Sequence, residues 1–309
     1  MPWFYCLLIF SSVFLSSSCD VGVSEDIGRV FGTAGLEMNI MRTSIPSRIY
    51  EEEPIYLSLK LSNKGYADIL DGVIFVSVDS QKISVQNYDE FKNFNLRGDD
   101  GFVRGDEKLL QISLLPMKIK IDNILSQDAN LRINSCYAYS TFFEDVFCID
   151  TDVHGMQSQK SCIMKPLTGR RGQGAPVAIT RVEPRSALGE SGVSISFDIY
   201  IQNLGGGTVL KRSSYKSICT GEFGVDDLNN IRIAEIVLSS YTLSNGDFSC
   251  SSHTPQINEF VLGGSRDYIS CKLNHEIELE RGAFSTPINI KLDYGYLETI
   301  EERLLIQKR

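Results

Sequence analysis

The sequence predicts an all-β protein that folds into two tandem β-sandwich domains. Short apolar runs alternate with polar residues at period two, and clusters of Gly, Asn, Asp and Ser separate these runs. Two stretches of the chain also recur in the same order further along, as a duplication requires. No segment shows the long amphipathic pattern of an α-helix, and residues 122–131 are the best short helix candidate.

The first segment, residues 1–18, has the layout of a secretory signal. An uncharged, mostly apolar run from Trp3 to Leu15 is too short to span a bilayer, which needs about 20 residues. Small residues follow the run at once, although no Lys or Arg precedes it. Residues 19–31 are then expected to form a tether.

Cys19 ends the stretch LSSSC, which is similar to a lipobox, where a cysteine becomes a lipid-modified N-terminus. The usual pattern places Leu three residues before the cysteine, whereas Leu15 lies four before Cys19. Three outcomes therefore stay open: Cys19 as a lipid anchor, cleavage nearby without a lipid, and retention of the apolar run as an anchor. We expect the membrane to be a partner through the N-terminus.

One recurring stretch aligns residues 131–149 with residues 288–306, which lie 157 positions later. The aligned tyrosines are Tyr137 with Tyr294 and Tyr139 with Tyr296. Apolar runs flank the tyrosines in both copies, and polar residues follow them. Each copy is therefore predicted to be the terminal β-hairpin of a domain, and the first copy is predicted to turn near Phe142.

A second recurring stretch aligns residues 56–70 with residues 196–210, which lie 140 positions later. Both copies are alternating strands that end in an Asn-x-Gly turn, because Asn and Gly both tolerate positive φ. The turn residues are Asn63 and Gly65 in the first copy and Asn203 and Gly205 in the second. Since the two offsets differ, the second copy is 17 residues longer between the recurring stretches.

These landmarks predict the domain boundaries. Residues 32–151 are expected to form the first sandwich, residues 152–175 a linker, and residues 176–309 the second sandwich. The linker is polar, Gly-rich and poor in strand pattern. In the second sandwich, residues 258–264 and 267–273 are predicted to form a hairpin.

Six cysteines lie beyond the signal segment. An even number in an exported chain favours disulfides, although the sequence does not fix their pairing. Cys136 and Cys148 are both absent from the second copy of the recurring stretch. A hairpin that turns near Phe142 would place them face to face, so a Cys136–Cys148 bridge is predicted.

The other four cysteines give less specific predictions. Cys250–Cys271 is predicted as the local bridge of the second sandwich. Cys162 and Cys219 then remain, either paired with each other as a staple between the domains or free. None of the spacings is CxxC, so a zinc site is not expected.

Composition excludes several function classes. The net charge of -9 and the pI near 5.0 argue against nucleic-acid binding, which needs clustered Lys and Arg. The three histidines form no metal motif, and no nucleophile or phosphate-binding motif is present, so no catalytic residue, cofactor or metal is predicted. The glycine-rich residues 203–209 are interpreted as a turn. A glycosidase-like carboxylate pair is neither shown nor excluded.

Two motifs have both a structural and a functional interpretation. RGD occurs at residues 97–99 and 104–106, either as part of a polar loop or as an adhesion tripeptide. Acidic residues in the same region could alternatively bind Ca²⁺. The four aligned tyrosines either brace the sandwiches or form a recognition surface.

The segments SNKGYADI and QNLGGGTV resemble CARDB-like, immunoglobulin-type modules of archaeal and bacterial surface proteins. The stretches CYAY…FCIDTD, GQGAPVAITRVE and IKLDYGY are similar to those of a family of exported archaeal-type proteins. The resemblance implies two tandem immunoglobulin-like β-sandwich domains displayed outside the cytoplasmic membrane.

The expected function is therefore that of a membrane-anchored, non-enzymatic envelope protein. It would act in adhesion, in assembly or in binding to other envelope proteins or surface polymers, at the outer face of the cytoplasmic membrane or on the cell surface. The first alternative is a structural or accessory subunit of a larger envelope complex. The second, of a different class, is a secreted hydrolase with an unrecognised carboxylate site.

Overall fold

A computed structural model describes residues 32–86, 93–120, 123–169, 172–222, 224–251, 258–263 and 268–309. The predicted signal segment, Cys19 and the whole predicted tether fall outside the described residues. The described part of the chain is built mostly of antiparallel β-strands, with one five-residue α-helix and a few single 3₁₀ turns. The all-β prediction is therefore confirmed.

The first half of the chain forms a sandwich of two sheets. Its strands are β1 (Leu36–Ile40), β2 (Ile49–Tyr50), β3 (Ile55–Asn63), β4 (Ile69–Val78), β5 (Ile83–Val85), β6 (Asn93–Leu96), β7 (Glu107–Pro116) and β8 (Ser126–Asp150). One sheet has the order β1-β3-β7-β5, and the strands β6-β4-β8 belong to the other. Leu57, Leu59 and Leu61 of β3 point into the core and are fully buried, which stabilises the fold by about 1.5–3 kcal/mol each.

The second half repeats this strand order. Its elements are β9 (Leu167–Thr168), β10 (Val177–Leu188), β11 (Val193–Asn203), β12 (Thr208–Leu210), α1 (Tyr215–Cys219), β13 (Asn230–Leu238), β14 (Tyr241–Thr242), β15 (Phe248–Ser251), β16 (Glu259–Val261), β17 (Tyr268–Leu273) and β18 (Ala283–Gln307). One sheet has the order β10-β11-β17-β15, with β9 beside β10. The other contains β13 and β18, with β16 paired to β13, as β6 is paired to β4 in the first half.

The two halves share one sheet because β8 and β18 pair along their whole length. Each strand has 25 residues, and the antiparallel register begins with Ser126 opposite Gln307. Ala138 lies opposite Gly295 at the middle of both strands, and these two residues are also aligned in the recurring stretch. A pseudo-two-fold axis therefore passes through this pair and relates one half of the molecule to the other.

The predicted terminal hairpins are wrong. Both copies of the tyrosine-bearing stretch, residues 131–149 and 288–306, belong to uninterrupted strands, and β8 continues through Phe142 with Thr141 and Phe143 buried on its inner face. Each copy pairs with the other copy instead of folding back on itself. An alternating pattern indicates a strand but not its partner, so it does not distinguish the two arrangements.

Two smaller predictions are also wrong. Residues 126–131 lie inside the predicted helix but open β8, where pairing with β18 overrides local helix propensity. The predicted hairpin of residues 258–264 and 267–273 does not form, since β16 pairs with β13 in the shared sheet and β17 pairs with β11 and β15 in the opposite sheet.

An insertion between β12 and β13 distinguishes the second half. Ten positions separate Asn63 from Val73 in the first half, whereas 29 positions separate the equivalent Asn203 and Arg232. The additional residues include α1, which packs on the outer face of the shared sheet against β8, β18 and β4. The insertion accounts for the greater length between the recurring stretches of the second copy.

Candidate functional site

Four tyrosines meet at the pseudo-two-fold axis, inside the sandwiches. They are Tyr137 and Tyr139 of β8 and Tyr294 and Tyr296 of β18. All are 0–1% exposed, and the centroids of neighbouring rings lie 5.6–6.3 Å apart. Burial raises the pKa of each hydroxyl, to about 12 for Tyr296, so all four stay protonated at neutral pH. These side chains brace the core and do not form an exposed recognition surface.

Two of these tyrosines hold the Asn-x-Gly turns. In each half the tyrosine hydroxyl donates to the Asn Oδ1 (3.3 and 3.1 Å), which also accepts the glycine N–H (3.2 Å in both). The two sets are Tyr139, Asn63 and Gly65, and Tyr296, Asn203 and Gly205. Neither glycine has a positive φ. Glycine is required because a Cβ would overlap the tyrosine hydroxyl, so the positive-φ explanation is wrong.

The other two tyrosines hold the first strand of each sheet. The Tyr137 hydroxyl accepts the N–H of Leu36, where β1 begins, at 3.1 Å. The Tyr294 hydroxyl accepts the N–H of Val177, where β10 begins, at 3.4 Å. Both strands therefore start at the pseudo-two-fold axis. The recurring tyrosines were the sequence signal for this role, but their partners depend on strand pairing.

All six predicted cysteines form disulfides, but two of the three predicted bridges are wrong. The observed pairs are Cys136–Cys219, Cys148–Cys162 and Cys250–Cys271. The Cys136–Cys148 prediction assumed a hairpin near Phe142, and the Cys162–Cys219 pair was only what then remained. Cys136 and Cys148 instead lie on one continuous strand, which separates them by about 40 Å. Cys250–Cys271 agrees with the prediction, since these residues face each other across β15 and β17.

The Cys136–Cys219 bridge ties the insertion of the second half to the first half. Cys219 lies at the end of α1, and its Cα is 5.7 Å from that of Cys136 on β8. The Tyr215 hydroxyl donates to the Asp71 carbonyl oxygen at 2.9 Å, and Lys216 pairs with the Asp71 carboxylate. Three disulfides indicate an oxidising compartment. Within the described ranges, no helix has the length and apolar character needed to cross a membrane.

The two RGD motifs form the base of the loop between β6 and β7. A Cβ at Gly98 would overlap the carbonyl oxygen of Tyr66 in the turn that follows β3, and a Cβ at Gly105 would overlap that of Asn63 at the end of β3. Arg97 of the first motif pairs with Asp106 of the second (Nη2–Oδ1 3.7 Å), and the Asp106 N–H donates to the Arg97 carbonyl oxygen at 2.9 Å. This closure explains both motifs structurally, without an adhesion role.

The tip of this loop presents an aromatic side chain. Asp100 Oδ1 accepts the N–H groups of Phe102 (2.9 Å) and Val103 (2.7 Å), and these bonds lower the pKa of Asp100. Phe102 is 77% exposed. The Asp99 and Asp106 carboxylates likewise accept backbone N–H groups. In the part of the chain that is described, no three His, Cys, Asp or Glu side chains are placed to hold a metal ion.

A second aromatic feature lies beside the axis on the outer face of the shared sheet. Tyr66 and Phe142 pack edge to face with 5.5 Å between ring centroids, and they are 42% and 37% exposed. The Lys291 ammonium lies 5.4 Å from the Phe142 ring centroid, within cation–π range. Tyr66, Phe142 and Lys291 are termed the aromatic surface.

The aromatic surface occurs on only one side of the pseudo-two-fold axis. The equivalent residues on the other side are Gly206, Thr299 and Asn134. Thr299 donates a hydrogen bond to Asn134 Oδ1 at 3.0 Å, in the register position where Phe142 faces Lys291. A Cβ at Gly206 would meet nothing within 4 Å, so the backbone also accepts a side chain there. The fold therefore does not require aromatic residues at these positions.

A groove of about 550 Å³ also opens on the outer face, towards the Gln307 end of β18. Its charged side chains already form ion pairs, either with one another or with neighbouring residues. Arg132 binds Glu301 (Nη2–Oε1 2.5 Å), and Arg303 pairs with Asp128. Because these charges are already paired, the groove is a weaker candidate for ligand binding than the aromatic surface.

Comparisons with known proteins give no family for this chain. No family model and no curated protein matches it. Among solved structures, the secreted serine protease VesC from Vibrio cholerae is similar at 11% identity and a TM-score of 0.22, over 84% of this chain and 50% of that one. The chain thus spans about half the length of VesC, and so low a score carries no argument about activity. The resemblance to CARDB-like modules stays a prediction.

Proposed function

We propose that this chain is an exported, non-enzymatic envelope protein that is held at the membrane through its N-terminus and binds a surface polysaccharide through the aromatic surface. The observation that carries the proposal is the asymmetry between equivalent positions. Tyr66 and Phe142 are exposed and Lys291 is half-buried where the other half has Gly206, Thr299 and Asn134. Exposed aromatic residues that the architecture does not need are best explained by binding.

The location rests on the signal-like residues 1–18 and on the disulfides. An oxidising environment outside the cytoplasm keeps three bridges formed. Cys19 is the proposed lipid attachment site. Intact-mass analysis of the native mature protein tests this: an N-terminal Cys19 carrying a lipid supports anchoring, whereas an unmodified chain cleaved elsewhere contradicts it.

A polysaccharide suits the aromatic surface better than a protein does. A stable protein interface buries about 800 Å² on each partner around an apolar centre. Here two half-exposed rings lie beside the Lys291 ammonium on the same face of the sheet. Such rings pack against the apolar C–H faces of sugars, and neighbouring polar groups bind hydroxyls.

Binding of the purified mature chain to isolated envelope polysaccharide tests the proposal. The double variant Tyr66→Gly/Phe142→Thr copies the residues of the other half, and we expect it to bind at least about tenfold more weakly. Tyr56→Ser is the matched control, because Tyr56 is a 51% exposed aromatic at the opposite end of β3. Equal binding by the double variant and the wild type would contradict the proposal.

The opposite change gives a second test. Gly206→Tyr with Thr299→Phe and Asn134→Lys builds the aromatic surface on the other side of the axis, where open space surrounds Gly206. We expect tighter binding to a long polymer through two sites and little change for a short oligosaccharide. Recovery of the wild type in a stoichiometric protein complex, without polymer binding, would instead favour an accessory subunit.

A further inference from the structure

A polar cluster lies beneath the start of β1 in the first half, with Ser135 and Tyr137 fully buried and Glu298 half-buried. Glu298 of β18 and Ser135 of β8 face each other in the shared sheet. Ser135 is fully buried, and its hydroxyl has no hydrogen-bond partner among the described residues. Glu298 Oε1 accepts a hydrogen bond from the Tyr137 hydroxyl at 2.9 Å, and that hydroxyl accepts the N–H of Leu36 at 3.1 Å. The Glu298 carboxyl group is thus linked through the Tyr137 hydroxyl to the Leu36 amide, where β1 begins.

In the second half, the positions equivalent to Ser135 and Glu298 contain no ionisable group. Leu292 and Thr141 occupy the positions equivalent to Ser135 and Glu298, and they also face each other. The Thr141 hydroxyl donates to the Val177 carbonyl oxygen at 2.5 Å and lies 3.0 Å from the Tyr294 hydroxyl. The first bond of β10 is therefore held by neutral groups alone. The fold does not require a carboxyl group at this position.

The surroundings of Glu298 disfavour its ionised form. Burial, and to a smaller extent the nearby Glu37 carboxylate of β1, together raise the pKa of Glu298 to about 7, and only the Tyr137 hydrogen bond acts in the opposite direction. The other titratable groups facing it are Tyr139 and Tyr296, which are neutral. No cationic group acts on Glu298 from the described elements around it. The carboxyl group therefore exchanges its proton with solvent near neutral pH.

We propose that Glu298 is a proton-binding site that controls the docking of β1 at the centre of the molecule. The protonated carboxyl group stays inside, and Tyr137 holds the Leu36 amide. Loss of the proton leaves a carboxylate that draws in water and repels Glu37, so the first end of β1 detaches. Detachment of Leu36–Ile40 frees about 15 Å of additional chain next to the predicted tether. This inference does not depend on the identity of the proposed ligand.

Amide hydrogen exchange of the full mature chain tests the proposal between pH 5.5 and 8.5. The residues after Val177 serve as an internal reference. The Val177 amide is bound by the Tyr294 hydroxyl, which contacts the Thr141 hydroxyl and not a carboxyl group. We expect protection of Leu36–Ile40 to fall about tenfold relative to this reference as the pH rises through 7. In Glu298→Gln, which stays neutral, the ratio should not change with pH.

Two variants keep the test decisive. The double variant Ser135→Leu/Glu298→Thr carries the residues of the second half and is used if Glu298→Gln fails to fold. Its ratio of protection between Leu36–Ile40 and the reference should also be independent of pH. Thr141→Glu should transfer the pH dependence to the residues after Val177. A constant ratio in the wild type, or an unchanged pH dependence in both neutral variants, would overturn the proposal.

Discussion

The two halves of the molecule are built alike but differ in a few equivalent positions. Each half uses one tyrosine to hold its first strand and another to hold an Asn-x-Gly turn. The first half adds an exposed aromatic pair and covers a half-buried glutamate, and the second half adds the insertion that carries α1. The shared features are what the fold needs, so the differences show where additional properties lie.

The largest expected effect comes from the bridge between the halves. Replacing both Cys136 and Cys219 by Ala opens a loop of 83 residues and should lower the free energy of unfolding by about 4 kcal/mol. Chemical denaturation of the purified chain measures the loss.

The bridge within the second half is the matched control. Replacing Cys250 and Cys271 by Ala opens a loop of 21 residues, so about 3 kcal/mol should be lost. A greater loss from this pair than from Cys136 and Cys219 would show that the crossing insertion does not hold the halves together.

The two turn asparagines should both matter, but unequally. Asn63→Ala leaves several buried polar groups without partners and should cost about 3 kcal/mol, because Asn63 is fully buried and its Nδ2 donates to the Ala67 and Leu96 carbonyl oxygens. Asn203→Ala should cost about 2 kcal/mol, since Asn203 is half-buried. Thermal or urea unfolding measures both; a harmless change at either site would break the equivalence of the turns.

Glu298 should make stability depend on pH. Its pKa rises from 4.5 to about 7 on folding, so the folded chain holds the proton more tightly. The stabilisation is complete below pH 4.5 and is lost as the pH rises through 7. The full shift corresponds to about 3 kcal/mol, and partial exposure reduces it to about 1–2 kcal/mol. The test measures the free energy of unfolding at pH 5 and at pH 8 for the wild type and for Glu298→Gln. The decrease from pH 5 to pH 8 should be about 1–2 kcal/mol larger in the wild type than in the variant.

The smallest stability effect is expected at the aromatic surface. Phe142→Thr should change the free energy of unfolding by less than about 0.5 kcal/mol, because Thr299 already occupies the equivalent position. The same variant should weaken polysaccharide binding. A large loss of stability would mean that Phe142 is needed for packing, and it would remove the main support for the binding proposal.

The sequence predicted the parts of the fold that depend on local pattern. Period-two alternation identified β3 and β11, and the repeated tyrosines showed that the two central segments are equivalent and have β structure, although each was predicted as a hairpin. Cys250–Cys271 could be predicted because its two strands lie close in sequence. The duplication itself was the most informative signal, since it set which residues are equivalent.

Partner choice could not be predicted in the same way. The segment that forms β8 would show the same alternating pattern if it folded back at Phe142 or if it paired with β18. Which of these two arrangements forms determines the disulfide partners of Cys136 and Cys148. A glutamate is expected to be exposed, so the sequence does not indicate that Glu298 is half-buried next to β1. The aromatic surface brings Tyr66 and Phe142 together from segments 76 positions apart, so local sequence does not reveal it.

The contact of Leu36 with Tyr137 has a mechanical consequence. Tyr137 lies next to the midpoint of β8, a strand about 80 Å long, so β1 begins near the middle of the long shared sheet. If the N-terminus is fixed to a membrane, the paired strands β8 and β18 would extend about 40 Å to either side of this attachment. A pull on that attachment would load the centre first, peeling β1 away while the long paired strands resist shear.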